Sequence, residues 1–231
     1  MLRFHSIASS SRGNCYAVTD EETGEQLMIE AGVRKRTIKE GFDNDLSRVV
    51  GVLISHEHLD HSRNACELAR SGFTIYASRG TAEAVGIWGC NILKAGEAVK
   101  IGSFTVLPFR TMHDAAEPIG FLIRGTDGDK LLFATDTVSI PVRAKCGIYA
   151  VEANYARDLI GYDVPDRVRQ RVLRTHMDVT RLCDWLRCCD LSVCREVNLI
   201  HLSTASSDEA RFVNQVRGAV PHGVRVYACG I

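Results

Sequence analysis

The segment Val52-Leu53-Ile54-Ser55-His56-Glu57-His58-Leu59-Asp60-His61 sets an apolar run directly against three imidazoles and two carboxylates. The run must enter a core while the polar cluster stays at its rim, which calls for a strand whose end opens onto a cleft. Neutral imidazole and carboxylate are ligands for borderline divalent metals such as zinc. His56 and His58 read as extended chain, where side chains repeat every two residues, so both point the same way and can grip one ion. Asp60 and His61 read as a helix start, and they turn with the chain towards a second ion beside the first. Asp60 alone would read as a helix cap, and any single histidine as part of a solvated loop. Six positions this dense read instead as a metal site.

Three further residues stand where apolar runs end. His113 follows the run that closes at Phe109, Asp136 follows Leu131-Leu132-Phe133-Ala134, and His201 closes Val197-Asn198-Leu199-Ile200. With them, five of the eight histidines lie at strand ends, where side chains can be aimed over the edge of a sheet.

The rest of the chain supplies the scaffold. At 231 residues and 45% hydrophobic, it is expected to form one α/β (α+β) domain over residues 1–231. Strands are predicted at 15–18, 27–30, 50–55, 74–77, 104–109, 120–124, 130–134, 147–151, 197–201 and 224–228. Helices are predicted at 60–70, 80–86, 165–173, 179–188 and 207–217. Gly125-Thr126-Asp127-Gly128-Asp129 reads as a hairpin turn. Strands cluster and are then followed by helices, twice over, which favours two packed sheets with outer helices over a doubly wound parallel sheet.

Lysine plus arginine and aspartate plus glutamate both number 28, so no strongly basic footprint marks a protein that lives on a polyanion. No stretch approaches the ~20 apolar residues of a membrane span, and the opening MLRFHSIASSSRGN lacks a signal pattern; a soluble protein of the cytoplasm is expected, or of the host cytoplasm if phage-encoded. Nine cysteines without C-x-x-C spacing read as reduced thiols.

The ordered series H-x-H-x-D-H at His56, His58, Asp60 and His61, followed by His113, Asp136 and His201, resembles the metallo-β-lactamase superfamily over nearly the whole chain. The resemblance implies a four-layer αββα sandwich with the metals at one edge between the sheets. It also implies that His56, His58 and His113 hold a first divalent ion, that Asp60, His61 and His201 hold a second, and that Asp136 bridges them; Zn2+ is the expected metal, with Mn2+ an alternative. Where the superfamily usually has Asp at an early strand end, this chain has Glu30, expected to orient the ligand loop by hydrogen bonds. True β-lactamases of the fold usually carry Cys in place of Asp136. Ala8-Ser9-Ser10-Ser11-Arg12-Gly13-Asn14-Cys15-Tyr16, Glu117-Pro118-Ile119-Gly120-Phe121, Glu152-Ala153-Asn154-Tyr155 and His201-Leu202-Ser203 are similar to the YycJ-like subgroup. That subgroup implies nuclease or other phosphodiesterase activity, with phage relatives that hydrolyse cyclic nucleotides. Relatives are often dimers, so a homodimer is expected.

The chemistry expected of such a pair is in-line attack on phosphorus by a shared water of lowered pKa. Asp60 could orient that water or accept its proton, and His176, outside the ligand set, is the candidate acid for the leaving group. Arg12 and Asn154 are candidate substrate contacts, for a nucleotide or nucleic acid. The basic run Arg167, Arg169, Arg171 and Arg174 reads as a solvated helix face. Two alternatives stand beside this reading: a thioester or lactam hydrolase of the same fold, and a nucleotide-binding module that keeps a metal for structure alone.

Overall fold

The computed structural model describes residues 1–161 and 164–230. Its first sheet runs in the order β1 (Leu2–Ala8), β2 (Cys15–Asp20), β3 (Gln26–Ile29), β4 (Val49–Leu53), β5 (Ile75–Ala77) and β6 (Asn91–Ile92). The second runs from β13 (Arg225–Ala228) through β12 (Glu196–Ile200), β11 (Ile148–Glu152), β10 (Lys130–Ala134), β9 (Ile119–Arg124) and β8 (Phe104–Arg110) to β7 (Val99–Ile101). Each sheet joins an antiparallel meander to a parallel half: β3, β4, β5 and β6 are parallel neighbours in the first, and β10, β11, β12 and β13 in the second.

Side-chain alternation sorts the strands into layers. Tyr16, Val18, Leu27, Ile29 and Leu53 face Phe121, Phe133, Ile148, Ala150 and Ile200 across the space between the sheets. The intervening residues Ala17, Met28, Val52 and Ile54 turn outward and pack under α1 (Lys35–Gly41) and α3 (Ala65–Arg70), through Ile38 and Leu68. On the far side, Leu132, Tyr149, Val151 and Leu199 pack under α6 (Val179–Arg187) and α7 (Glu209–Arg217), through Leu182, Leu186, Phe212 and Val216. Both faces of each sheet are thus apolar, which is why the parallel strands read as continuous hydrophobic runs. The layers are helix, sheet, sheet, helix, as expected. The hairpin between β9 and β10 also forms where expected, with Lys130 paired to Arg124 and Gly128 at φ +85°.

Helix starts follow capping chemistry. The Asp178 carboxylate accepts from the backbone N–H groups of Thr180 and Arg181 at the start of α6, and Asp208 accepts from Arg211 at the start of α7, each such cap contributing ~1 kcal/mol. Ser78 does the same for α4 (Arg79–Val85). Among the described residues, no helix is long and apolar enough to cross a membrane, and all nine cysteines are free thiols.

The helix expected over 60–70 is instead two pieces, α2 (Leu59–Ser62) and α3. Asn64 separates them: its backbone N–H donates to Ala31 and its side-chain amide to the Val33 carbonyl. The chain therefore turns to stay with the segment after β3. Among the described residues, β1, β6, β7, α1 and a short 3-10 turn at Arg157–Leu159 went unanticipated.

Candidate metal centre

Parallel strands send their carboxyl ends to one rim, and the expected residues gather there. Glu30 follows β3, His56 follows β4 after Ile54 and Ser55, Asp136 follows β10 after Thr135, Glu152 is the last residue of β11, and His201 follows β12. Glu30, Asp136 and His201 hold φ of +63°, +41° and +54°. A left-handed residue at a strand end reverses the local chain direction and throws its side chain over the rim. The conformation costs a non-glycine residue about 1–2 kcal/mol.

Two donor groups result. In the first, His56 Nε2 lies 3.1 Å from His58 Nδ1, and His113 Nε2 lies 3.2 Å from the same His58 atom. In the second, Asp60 Oδ2 lies 3.2 Å from His61 Nε2 and 3.3 Å from His201 Nε2. Asp136 stands between them. Its Oδ2 is 3.5 Å from His113 Nε2 and 4.0 Å from His56 Nε2, whereas its Oδ1 is 3.4 Å from both His61 Nε2 and His201 Nδ1. All seven residues named from the sequence as ligands therefore share one cluster.

These spacings suit a divalent ion. Ligand atoms ~2 Å from a tetrahedral zinc are about 3.3 Å apart, close to the separations found. The opposite ring nitrogens are anchored as metal-binding imidazoles usually are: His56 Nδ1 pairs with Ser55 Oγ at 2.9 Å, and His113 Nδ1 lies 3.0 Å from the Thr175 carbonyl. His61 Nδ1 and Glu30 Oε1 are both buried without a hydrogen bond and lie 3.6 Å apart, so the Glu30 carboxylate faces one imidazole of the ligand loop. Its other oxygen accepts from Ser55 N–H at 3.4 Å.

The electrostatics agree. Burial holds His56 well below its ordinary pKa, and the neighbouring His61 lowers it further. For Asp60, burial pushes upward, but hydrogen bonds from His201 and His61 outweigh it and hold the carboxyl well below the usual range. Burial opposes charge on His61, His176 and His201, yet nearby carboxylates prevail: Asp136 and Asp60 raise His61 well above its ordinary value, Glu152 raises His176, and Asp136 with Asp60 raises His201 to about 10. The carboxylates thus favour protons on His61 and His201, and a cation bound there would take the place of those protons.

Sequence reasoning missed Glu152 as a site residue. Fully buried, it takes the backbone N–H groups of Thr137 at 2.9 Å and Met177 at 3.0 Å, and it lies 2.6 Å from His176 Nδ1 and 3.3 Å from His201 Nδ1. The signal was an acidic residue closing an apolar strand, the same one that marked Asp136. His176 belongs to the wall of the cluster rather than to a loose polar stretch, with its ring stacked on His201 at a 10° interplanar angle.

The two substrate contacts expected from the sequence, Asn154 and Arg12, flank the donor groups in different settings. Asn154 is buried, and its amide donates to the His201 carbonyl at 2.9 Å; it braces His201 and offers no open donor. Arg12 is exposed on the loop between β1 and β2. That loop is not simply a turn. Ser9 Oγ accepts from His201 N–H, and Asn14 N–H donates to the Asp60 carbonyl at 2.8 Å, so the loop ties both halves of the cluster together. Gly32 completes the brace, because a Cβ there would run into the Asp60 carbonyl.

Residues 27–202 match the beta-lactamase superfamily domain, and the chain belongs to that superfamily. Among its relatives is the exodeoxyribonuclease YycJ of Bacillus anthracis, 28% identical over 201 residues, or 79% of this chain and 74% of the relative. The metallo-beta-lactamase fold protein YhfI from Bacillus subtilis superposes with a TM-score of 0.76 at 14% identity, over 100% of this chain and 98% of that one. A diphosphatase from the PhnP family superposes at 0.67 and 14% identity, over 100% and 97%. The fold is thus the metallo-β-lactamase sandwich. Family, relative and buried His/Asp cluster together support a metal-dependent hydrolase.

Proposed function

We propose that this chain is a dinuclear metal-dependent phosphodiesterase acting on nucleic acid. The observation that carries the proposal is Asp136, whose two oxygens face two separate donor groups, as one carboxylate shared by two cations would. His56, His58 and His113 would hold one ion, and Asp60, His61 and His201 the other. When bound, such a pair supplies Lewis-acid charge at the phosphoryl oxygens and lowers the pKa of a coordinated water. The chain's own residues supply the rest. Asp60 is the less buried of the two acidic ligands, its side chain 23% exposed against 4% for Asp136, so it can orient a water at the cleft. Glu152 fixes His176 through Nδ1, which leaves Nε2 to return a proton to the departing oxygen. The relative's activity on DNA favours a polynucleotide substrate.

The test is protein purified without chelator, carrying ~2 ions per chain, assayed with zinc or manganese. The panel comprises single- and double-stranded DNA, RNA, cyclic mononucleotides, nitrocefin and lactoylglutathione. Phosphodiester cleavage is expected. Turnover of nitrocefin or lactoylglutathione with none of phosphodiesters would overturn the proposal in favour of a lactam or thioester hydrolase, and tight nucleotide binding without turnover would favour a binding module.

His176→Ala is expected to lower kcat ~10²–10⁴-fold on DNA, whose alkoxide leaving group needs a proton. The loss should be much smaller on bis-p-nitrophenyl phosphate, whose phenolate departs unaided. Equal losses on the two substrates would remove His176 from the acid role.

A further inference from the structure

Beside the metal centre, the loop between β1 and β2, the start of α1 and the end of α2 enclose a groove of about 450 Å3, lined by Ser10, Arg12, Val33, Arg34, Thr37 and Arg63 among others. No acidic residue lines it, and the three arginines are exposed. Among the described residues, none of the three takes part in an ion pair. Several other arginines of this surface do meet a carboxylate, among them Arg36 with Glu40, Arg171 with Asp114, Arg187 with Asp184 and Arg211 with Asp158. Acidic residues near the groove are engaged by other cations, Glu40 by Arg36 and Glu67 by Lys35. In a chain whose formal charge is zero, three unpaired guanidinium groups around one concavity are a local feature. Like charges so placed repel one another unless an anion lies between them.

The groove and the metal centre share their walls. Ser9 and Asn14 hold His201 and Asp60 on one side of the β1–β2 loop, while Ser10, Arg12 and Gly13 line the groove on the other. Arg63 is two residues beyond His61, and Val33 follows the Gly32 that packs on the Asp60 carbonyl. An anion in the groove therefore lies next to the backbone that carries the second donor group. Guanidinium is suited to phosphate, since it presents paired donors in a plane.

We infer that the Arg12, Arg34 and Arg63 groove binds backbone phosphates of a polynucleotide strand whose reacting phosphate lies at the metal centre. The inference rests on the phosphodiesterase reading and narrows it. A cyclic mononucleotide has one phosphate and cannot occupy both places, whereas a strand can.

The experiment uses the metal-loaded protein, a single-stranded DNA oligonucleotide and bis-p-nitrophenyl phosphate. Arg34→Gln/Arg63→Gln should raise KM for the oligonucleotide at least ~10-fold relative to that for the small diester. The salt dependence of log kcat/KM should become shallower by about 1.4, at ~0.7 per lost single-strand phosphate contact. Arg34→Glu/Arg63→Glu should act in the same direction and further. An oligonucleotide KM and salt slope equal to wild type would overturn the inference. Fluorescence anisotropy of a labelled oligonucleotide in the presence of chelator separates the two claims. If wild type binds and the double variant does not, the groove stands even where no phosphodiester is cleaved, and only the catalytic reading fails. Equal binding by both proteins, or binding by neither, overturns the groove.

Discussion

Asp136→Asn is expected to reduce turnover by about 10³-fold and to lower metal content below that of the wild type. Asparagine preserves the shape of the side chain and tolerates the left-handed backbone that Asp136 adopts at φ +41°. The substitution thus removes the negative charge without adding backbone strain. That charge faces both donor groups, with Oδ2 at 3.5 Å from His113 and Oδ1 at 3.4 Å from His61 and His201. Losing a carboxylate that the two proposed ions would share should weaken both seats at once, and several kcal/mol of Lewis-acid stabilisation corresponds to about three orders of magnitude in rate. Metal analysis by inductively coupled plasma mass spectrometry, with steady-state kinetics on DNA, checks the result. Full metal content with wild-type turnover would disprove a shared role for Asp136.

The second large effect is on stability. Protein stripped by chelator and then given zinc or manganese should gain about 10 °C in Tm for each site that fills. Ligand in ~1,000-fold excess over its dissociation constant stabilises the folded state by about 4 kcal/mol per site, and ~1 kcal/mol shifts Tm by about 2–4 °C in a domain of this size. The cause lies in the buried cluster: Asp136 and Glu152 are nearly inaccessible, and a cation among them meets buried negative charge that otherwise draws protons onto the neighbouring His61, His176 and His201. Scanning calorimetry of the stripped and refilled protein measures the shift. An unchanged Tm over the whole range of added metal would mean that the cluster holds no ion.

Much of this centre was legible because its chemistry is written locally. His56, His58, Asp60 and His61 lie within six residues, and His113, Asp136 and His201 each follow a run apolar enough to be read as a strand. The four layers were legible for the same reason: runs such as Leu131–Ala134 have partners on both faces and keep no polar side. What escaped was short, or was decided by tertiary contacts. In α1 only Ile38 is buried, so no periodicity exists to be seen, and β6 has two residues and β7 three. In β1, Leu2 and Phe4 alternate with exposed Arg3 and His5, a pattern too brief to outweigh its charged members. The break at Asn64 depends on the carbonyls of Ala31 and Val33, more than thirty residues away in sequence. Glu152 and Asn154 were noticed as part of a motif, but only the fold reveals that both lean on His201.

The left-handed backbone at Glu30, Asp136 and His201 bears on how such a centre can vary. Because each side chain is aimed by its own main chain, replacing one donor by another of similar size alters the chemistry without re-aiming its neighbours. Glycine at any of the three would accept the bend without strain but lose the donor. The rim can therefore be re-tuned one residue at a time while the layered interior beneath it stays as it is, so long as each newcomer tolerates an inverted bend.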